Sequence, residues 1–268
     1  MHFLDPRPLP TFVCLIALAG CGGTPTPRAG GAPPGTAMIG LEYASTSLGF
    51  RNSGDLAPGR LYLWDLAGGD LVDIEAGIPL KVLSSSPPAD RVASQVEGFT
   101  LAAGADVAGQ ARGEVRAAVS RDLRLDVTQA SRDENADPRG AISAVYRARQ
   151  AAGEDAFTGW RVRDATGNPD RYRYVLLVDP VRAASESVRF ASQSGGSAGV
   201  GVVDTVVGSV EVSVPAETAA SCRQSTGERP ICFLNARVLR PFLNAANNLD
   251  YEPVAYSKEA LSGAFRKP

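Results

Sequence analysis

The chain reads as an α+β protein: a mainly antiparallel sheet with long amphipathic strands, one central helix and a short helical C-terminal tail. Three observations point there. Period-two alternation recurs along the chain, as in Arg171–Val178 (RYRYVLLV) and Thr205–Val214 (TVVGSVEVSV). One segment, Asp137–Gly153, carries both a helix start and a helix stop. Strands also come in runs instead of alternating with helices, which favours antiparallel pairing.

The first residues read as an address. Met1–Pro10 holds a single basic residue, Arg7, beside Asp5, and Thr11–Ala19 (TFVCLIALA) is apolar. A helix crossing a bilayer takes about 20 residues, so this run is too short to span and suits the hydrophobic region of a secretory signal. Leu18-Ala19-Gly20-Cys21 then resembles the lipobox of bacterial lipoproteins. That resemblance implies cleavage before Cys21 and acylation of its sulfur and new amino terminus, palmitate included. Two or more acyl chains anchor a protein stably where one does not. In that family, retention in the inner membrane goes mainly with Asp after the Cys. Gly22 departs from this and matches the outer-membrane class. The competing reading is an ordinary signal peptide in which Cys21 is incidental.

Gly22–Ala37 (GGTPTPRAGGAPPGTA) has nine Gly or Pro in sixteen positions and reads as a linker. As a coil it would span roughly 20–25 Å. The expected organisation is therefore a signal peptide over 1–20, a lipidated Cys with a Gly/Pro-rich linker over 21–38, and one strand-rich domain over 39–268. No internal repeat and no later apolar run of membrane-spanning length interrupts that domain.

Within it, Arg60–Ile74 (RLYLWDLAGGDLVDI) predicts a β-hairpin, with Leu61–Leu66 and Leu71–Ile74 flanking a turn that contains Gly68 and Gly69. Tyr62 and Trp64 share one face and read as core. Val107–Val127 (VAGQARGEVRAAVSRDLRLDV) alternates for longest: ten of its eleven odd positions are apolar or small, and eight of its ten even positions are polar. That predicts a long amphipathic strand, bent or bulged at Gly109 and Gly113. A helix competes over the first half through Ala108, Ala111, Val115, Ala118 and Val119. It meets Asp122 and Asp126 and cannot continue.

Asp137–Gly153 (DPRGAISAVYRARQAAG) predicts the central helix, with Asp137 at the N-cap, Pro138 in the first turn and Gly153 closing the end. Strands are then expected at Arg171–Val178, Val188–Ala191, Thr205–Val214 and Ile231–Leu239. Short helices are expected near Pro241–Asn248 and Lys258–Phe265. The glycines of SQSGGSAGVGV lack the G-x-G-x-x-G spacing and open no helix, so a hairpin tip is preferred over a phosphate loop.

Charge and composition narrow the function. The net charge is −2, which argues against nucleic acid as a partner. Only Lys81, Lys258 and Lys267 are lysines, and the Arg excess reads as a GC-rich genome. The single His is His2, which signal cleavage would remove. The mature chain would then have no Ser-His-Asp or Cys-His mechanism and no His-ligated metal. No metal site and no cofactor are expected. A carboxylate pair could still cleave glycosides, but no pair stands out. With Cys14 in the signal and Cys21 acylated, Cys222 and Cys232 remain, flanking the polar turn RQSTGERP. A disulfide closing that small loop is expected over free thiols or a metal pair, worth about 3 kcal/mol by chain entropy.

Long strands flanking a helix resemble, in the order of their pattern over residues 90 to 240, the pore-forming domain of gasdermins. In that family amphipathic strands extend into membrane hairpins, with a strand similar to Tyr172–Val178 between them. The small face of the 107–127 strand, Gly109, Ala111 and Gly113, suits packing beneath the helix better than lipid. The expected function is that of a lipid-anchored, non-catalytic cell-envelope protein that docks onto or stabilises a larger surface or secretion assembly. Its partners would be the outer membrane, through acylated Cys21, and other envelope proteins. The alternative is a membrane-inserting, pore-forming protein, and a carboxylate-based hydrolase comes third.

Overall fold

The alternating segments form two sheets. The computed structural model describes residues 36–54, 56–102, 112–192, 199–206, 208–215 and 229–267. All of them fall within one compact unit, Ala32–Pro268. The chain lays down β1 (Ala37–Gly40), β2 (Ser45–Thr46), β3 (Gly49–Arg51), the hairpin β4 (Leu61–Asp65) and β5 (Asp70–Glu75), then β6 (Val82–Ser85), β7 (Ala89–Ala93) and β8 (Thr100–Leu101). Helix α1 (Arg112–Asp122) runs straight into β9 (Leu123–Asn135). Helices α2 (Arg139–Ala151), α3 (Ala156–Gly159) and α4 (Val162–Gly167) follow. Then come β10 (Tyr172–Arg182), β11 (Ser185–Phe190), β12 (Val200–Thr205), β13 (Gly208–Ser213), β14 (Ile231–Leu243), β15 (Leu249–Pro253) and α5 (Lys258–Phe265).

The larger sheet has eleven strands along the path β11-β9-β10-β14-β3-β2, with β4 on β10, β5 on β4, β15 on β14, and both β6 and β7 on β9. The smaller has the order β12-β13-β1-β8. Among the described ladders only β1–β13 is parallel. The protein is thus a sheet-rich, mainly antiparallel α+β fold.

Its long strands change partners along their length. The first part of β9 lies between β7 and β11, and its last residues pair with β10 and β6. Strand β10 pairs with β4 and β14, then bulges at Asp179-Pro180 before meeting β9. Proline cannot donate to a ladder, so a bulge is where a strand tolerates it. There the Asp179 N–H donates to Asn135 Oδ1 (2.7 Å), and the Asn135 N–H donates to Asp179 Oδ1 (2.8 Å).

Alternation divides the side chains of β10 between two apolar layers. Tyr172, Tyr174, Leu176 and Val178 pack under α2, α3 and α4 with Leu61, Leu63, Ile142 and Trp160. Val175 and Leu177 face the other way, with Tyr62, Trp64 and the Leu261, Ala264 and Phe265 of α5. A third cluster joins α1, the start of β9, β11 and the small sheet. Tyr62 and Trp64 are core, as their shared face suggests. A Cβ at Gly201 would lie 2.3 Å from the Phe190 ring, so β12 needs glycine to pass it.

Several expectations need correction. The long strand expected over Val107–Val127 is helix α1 over Arg112–Asp122 and becomes a strand only at Leu123; residues 107–111 lie outside the described ones. The buried residues of α1 are Val115, Ala118 and Val119, a helical i, i+3, i+4 stripe. Glycine and alanine had lengthened the period-two pattern, yet they bury too little apolar area to decide a conformation. Four helices, α1 to α4, therefore stand where one was expected. The N-cap position of α2 is Pro138, with no side-chain cap, and Asp137 binds Arg139 instead. Thr205–Val214 is broken by the turn between β12 and β13. Pro241–Asn248 is not helical: β14 runs on to Leu243 and a turn leads into β15.

Candidate functional site

Of the residues singled out for function, Cys21 and Cys222 lie outside the described residues. Cys232, the second residue of β14, is fully buried beside Phe233 in the cluster shared with α1 and β9. It is held in a disulfide whose partner lies outside the described residues.

Several of the ionisable groups are tied into ion pairs. Arg51 Nε donates to Glu186 Oε1 at 2.7 Å, with both side chains only 1% exposed. The Arg149 guanidinium bridges Glu75 (3.0 Å) and Glu154 (2.7 Å). Among the described residues, the carboxylates whose pKa is displaced are displaced downward. Asp65 is lowered to about 2, first by hydrogen bonds from Arg171 and then by the Gly68 and Ala67 N–H groups. Asp137 is lowered by Arg139, and Asp155 by Thr158 at the start of α3. A general acid needs the opposite displacement. Among the described residues no group of three His, Cys, Asp or Glu is placed to hold a metal. Burial pushes the Tyr174 phenol far up, and its hydroxyl donates to the Trp160 carbonyl at 2.8 Å.

Two surface features remain. The first is the edge formed by β6. Its four side chains, Val82 to Ser85, are exposed on both faces, and among the described residues the strand pairs with β9 alone. Leu83 is 65% exposed, and Val92 of β7 adds a further apolar side chain on the next strand along β9. Ser84 and Ser85 donate across to Glu134 (3.0 Å) and Asp133 (2.6 Å), which holds the strand in register. Pro87 and Pro88 break the edge between β6 and β7.

The second is a cleft of about 440 Å³ between one stripe of α2 and the β14–β15 turn. Tyr146, Arg147 and Gln150 come from the helix; Asn247 and Asn248 come from the turn, and Asp250 from the start of β15. Asn244 builds that turn, its Oδ1 accepting the N–H groups of Ala246 and Asn248, both at 3.0 Å. Asn247 takes the left-handed φ of 59° that asparagine tolerates. Phe157 of α3 and Leu243 stand half-exposed at the rim. Beside Ser143, which also lines the cleft, the Tyr251 hydroxyl is buried without a well-formed hydrogen bond, and burial raises its pKa.

No protein-family model matches the chain, and no curated protein matches it. Among solved structures it is similar to the structure of a bacterial gasdermin from Bradyrhizobium tropiciagri. The identity is 13%, over 80% of this chain and 88% of that one, with a TM-score of 0.33. A TM-score that low gives the likeness no weight in assigning function. No described helix is long and apolar enough to cross a membrane.

Neither surface feature was anticipated from sequence. The cleft had a signal: three asparagines in Asn244–Asn248 are turn chemistry, which should have displaced the helix expected there. The β6 edge had none, because which strand ends a sheet depends on long-range pairing.

Proposed function

We propose that the protein is a lipid-anchored, non-catalytic envelope protein, tethered to the outer membrane through acylated Cys21, that docks onto a larger surface or secretion assembly. The observation that carries the docking half is the β6 edge. An edge strand with open backbone groups and exposed apolar side chains is a template for an added strand. Val82 and Leu83 supply those side chains. The occupant is an extended segment of another envelope protein, laid beside β6. The lipobox-like Leu18-Ala19-Gly20-Cys21 and the Gly/Pro tract supply the anchor and tether. The downward displacement of Asp65, Asp137 and Asp155 favours binding over carboxylate catalysis. Pairing of Cys222 with Cys232 belongs to the same proposal and fits an oxidising compartment.

The test is the native size of the full-length protein gently extracted from membranes, with co-migrating chains identified. A large complex containing other proteins is expected. It should be lost in Leu83→Lys with the melting temperature unchanged, and its membrane association lost in Cys21→Ser. A monomer would overturn the docking reading.

A second reading, insertion into membranes, is favoured by strand length. Strands β9, β10 and β14 run 13, 11 and 13 residues, and a tilted strand crosses a bilayer with about 9–11. Against it, Leu123, Leu125 and Val127 of β9 are buried in the core and would have to leave it. Leakage from dye-loaded liposomes, with a ladder of this chain alone on native gels, would move the assignment to this reading.

A further inference from the structure

We propose that the cleft between α2 and the β14–β15 turn binds a neutral saccharide. This goes beyond docking and uses none of the β6 residues. At about 440 Å³ the cleft falls within the ~300–1,000 Å³ of small-molecule sites.

Its polar groups are largely uncommitted within the protein. The side-chain amides of Asn247 and Asn248 make no hydrogen bond to the described residues. Gln150 donates only to the Tyr146 hydroxyl, at 3.3 Å, which leaves its carbonyl oxygen open. Arg147 spends Nε on the Ser143 carbonyl of the preceding turn, at 3.2 Å, and its terminal nitrogens enter no ion pair among the described residues. Asp250 accepts the N–H of Tyr251 with Oδ1 at 2.8 Å and has its second oxygen available. The cleft therefore offers amides that both donate and accept, one fixed donor and one fixed acceptor. A sugar hydroxyl also both donates and accepts, so a row of them matches such a set.

Other ligand classes fit less well. A phosphate or carboxylate would meet Asp250 in the same cleft as Arg147. An apolar ligand would strip water from three amides and return no hydrogen bonds. A metal lacks ligands, since no described group of three His, Cys, Asp or Glu is placed to hold one. The apolar part of a pyranose has its own counterpart. Phe157 and Leu243 are 39% and 40% exposed at the rim, where burying them against the C–H face of a sugar ring would be favourable. The site is also braced from within. Asn244 locks the turn, and Tyr146 packs its ring 5.3 Å from that of Trp160.

That ring pair provides a readout, because Trp160 fluorescence should respond to a ligand against Tyr146. The experiment titrates the full chain, in a detergent without a sugar headgroup, with a panel of neutral trisaccharides of gluco, manno, galacto and N-acetylated types. Saturable binding of at least one is expected, weakened up to about tenfold by Asn248→Ala or Phe157→Ala. Asn247→Gly, which removes the amide but keeps the left-handed backbone accessible, should weaken it similarly. Melting temperatures should stay within those of the parent. No binding by any member of the panel overturns the proposal. So does binding that all three substitutions leave intact, or a fluorescence response to inorganic phosphate alone.

Discussion

Asp65 sits at the mouth of the β4–β5 hairpin, where its carboxylate accepts from the Ala67 N–H at 3.0 Å and from Arg171 Nε and Nη2 at 3.0 and 2.7 Å. These donors favour the ionised form and hold the pKa at about 2, below its ordinary 3.8. A carboxylate with a lowered folded-state pKa contributes stability that is complete above its unfolded value and lost as pH falls through the folded one. Stability should therefore drop as pH goes from about 4 to about 2, and Asp65→Asn should flatten that part of the profile. Urea titrations at several pH values would check this. An unchanged acid slope in the variant would show that the bonds to Arg171 and the turn do not hold in solution. The hairpin itself was legible, since two glycines between alternating runs point to one turn. Arg171 as partner was not, because it lies 106 positions away in sequence.

At the scale of elements, the α1–β9 junction is the instructive case. The alternating run is helix over Arg112–Asp122 and strand from Leu123. The aspartate that blocks a longer helical stripe marks that boundary. Its carboxylate accepts the N–H of Ser192 (3.0 Å) and the hydroxyl of Ser192 (2.6 Å) just beyond β11. Gly113 tests the helix directly. It lies in the first turn of α1, and nothing stands within 4 Å of where its Cβ would be. Gly113→Ala should stabilise the protein by about 0.5–1 kcal/mol, by removing unfolded-state freedom and raising helix propensity. Chemical denaturation reads this out, and a loss of stability would argue that the segment is not helical. The positions of α2 and α5 were readable, although the cap expected for α2 was not the one observed. At α5 the Ser257 hydroxyl accepts the Ala260 N–H at 3.2 Å and caps the first turn. The β14–β15 turn was missed because apolar residues around asparagine suggest helix and turn alike until Leu243 and Leu249 are seen paired across the hairpin.

In the whole molecule the apolar clusters are joined by shared strands. Leu176 belongs to the layer under α2, Leu177 to the layer under α5, and Val181 to the cluster with α1, all from β10. Loosening one layer moves the wall of the next, so unfolding should be a single transition. Leu176→Ala and Leu177→Ala should each lower its free energy by about 2–5 kcal/mol. Near- and far-ultraviolet circular dichroism should give coincident urea curves for both variants. Two resolved transitions would mean that the clusters are independent. By itself the sequence determined the local facts: which runs alternate, where Gly68 and Gly69 turn the chain, where helices α2 and α5 lie, and that His2 is the sole histidine. The tertiary structure decided that β9 serves four neighbours, that β6 is an exposed edge, and that a stripe of α2 faces Asn247, Asn248 and Asp250 across a cleft. The reason is physical. Alternation and capping act between residues a few positions apart, whereas pairing order and clefts arise from contacts between segments tens to about a hundred positions apart, which no local pattern encodes.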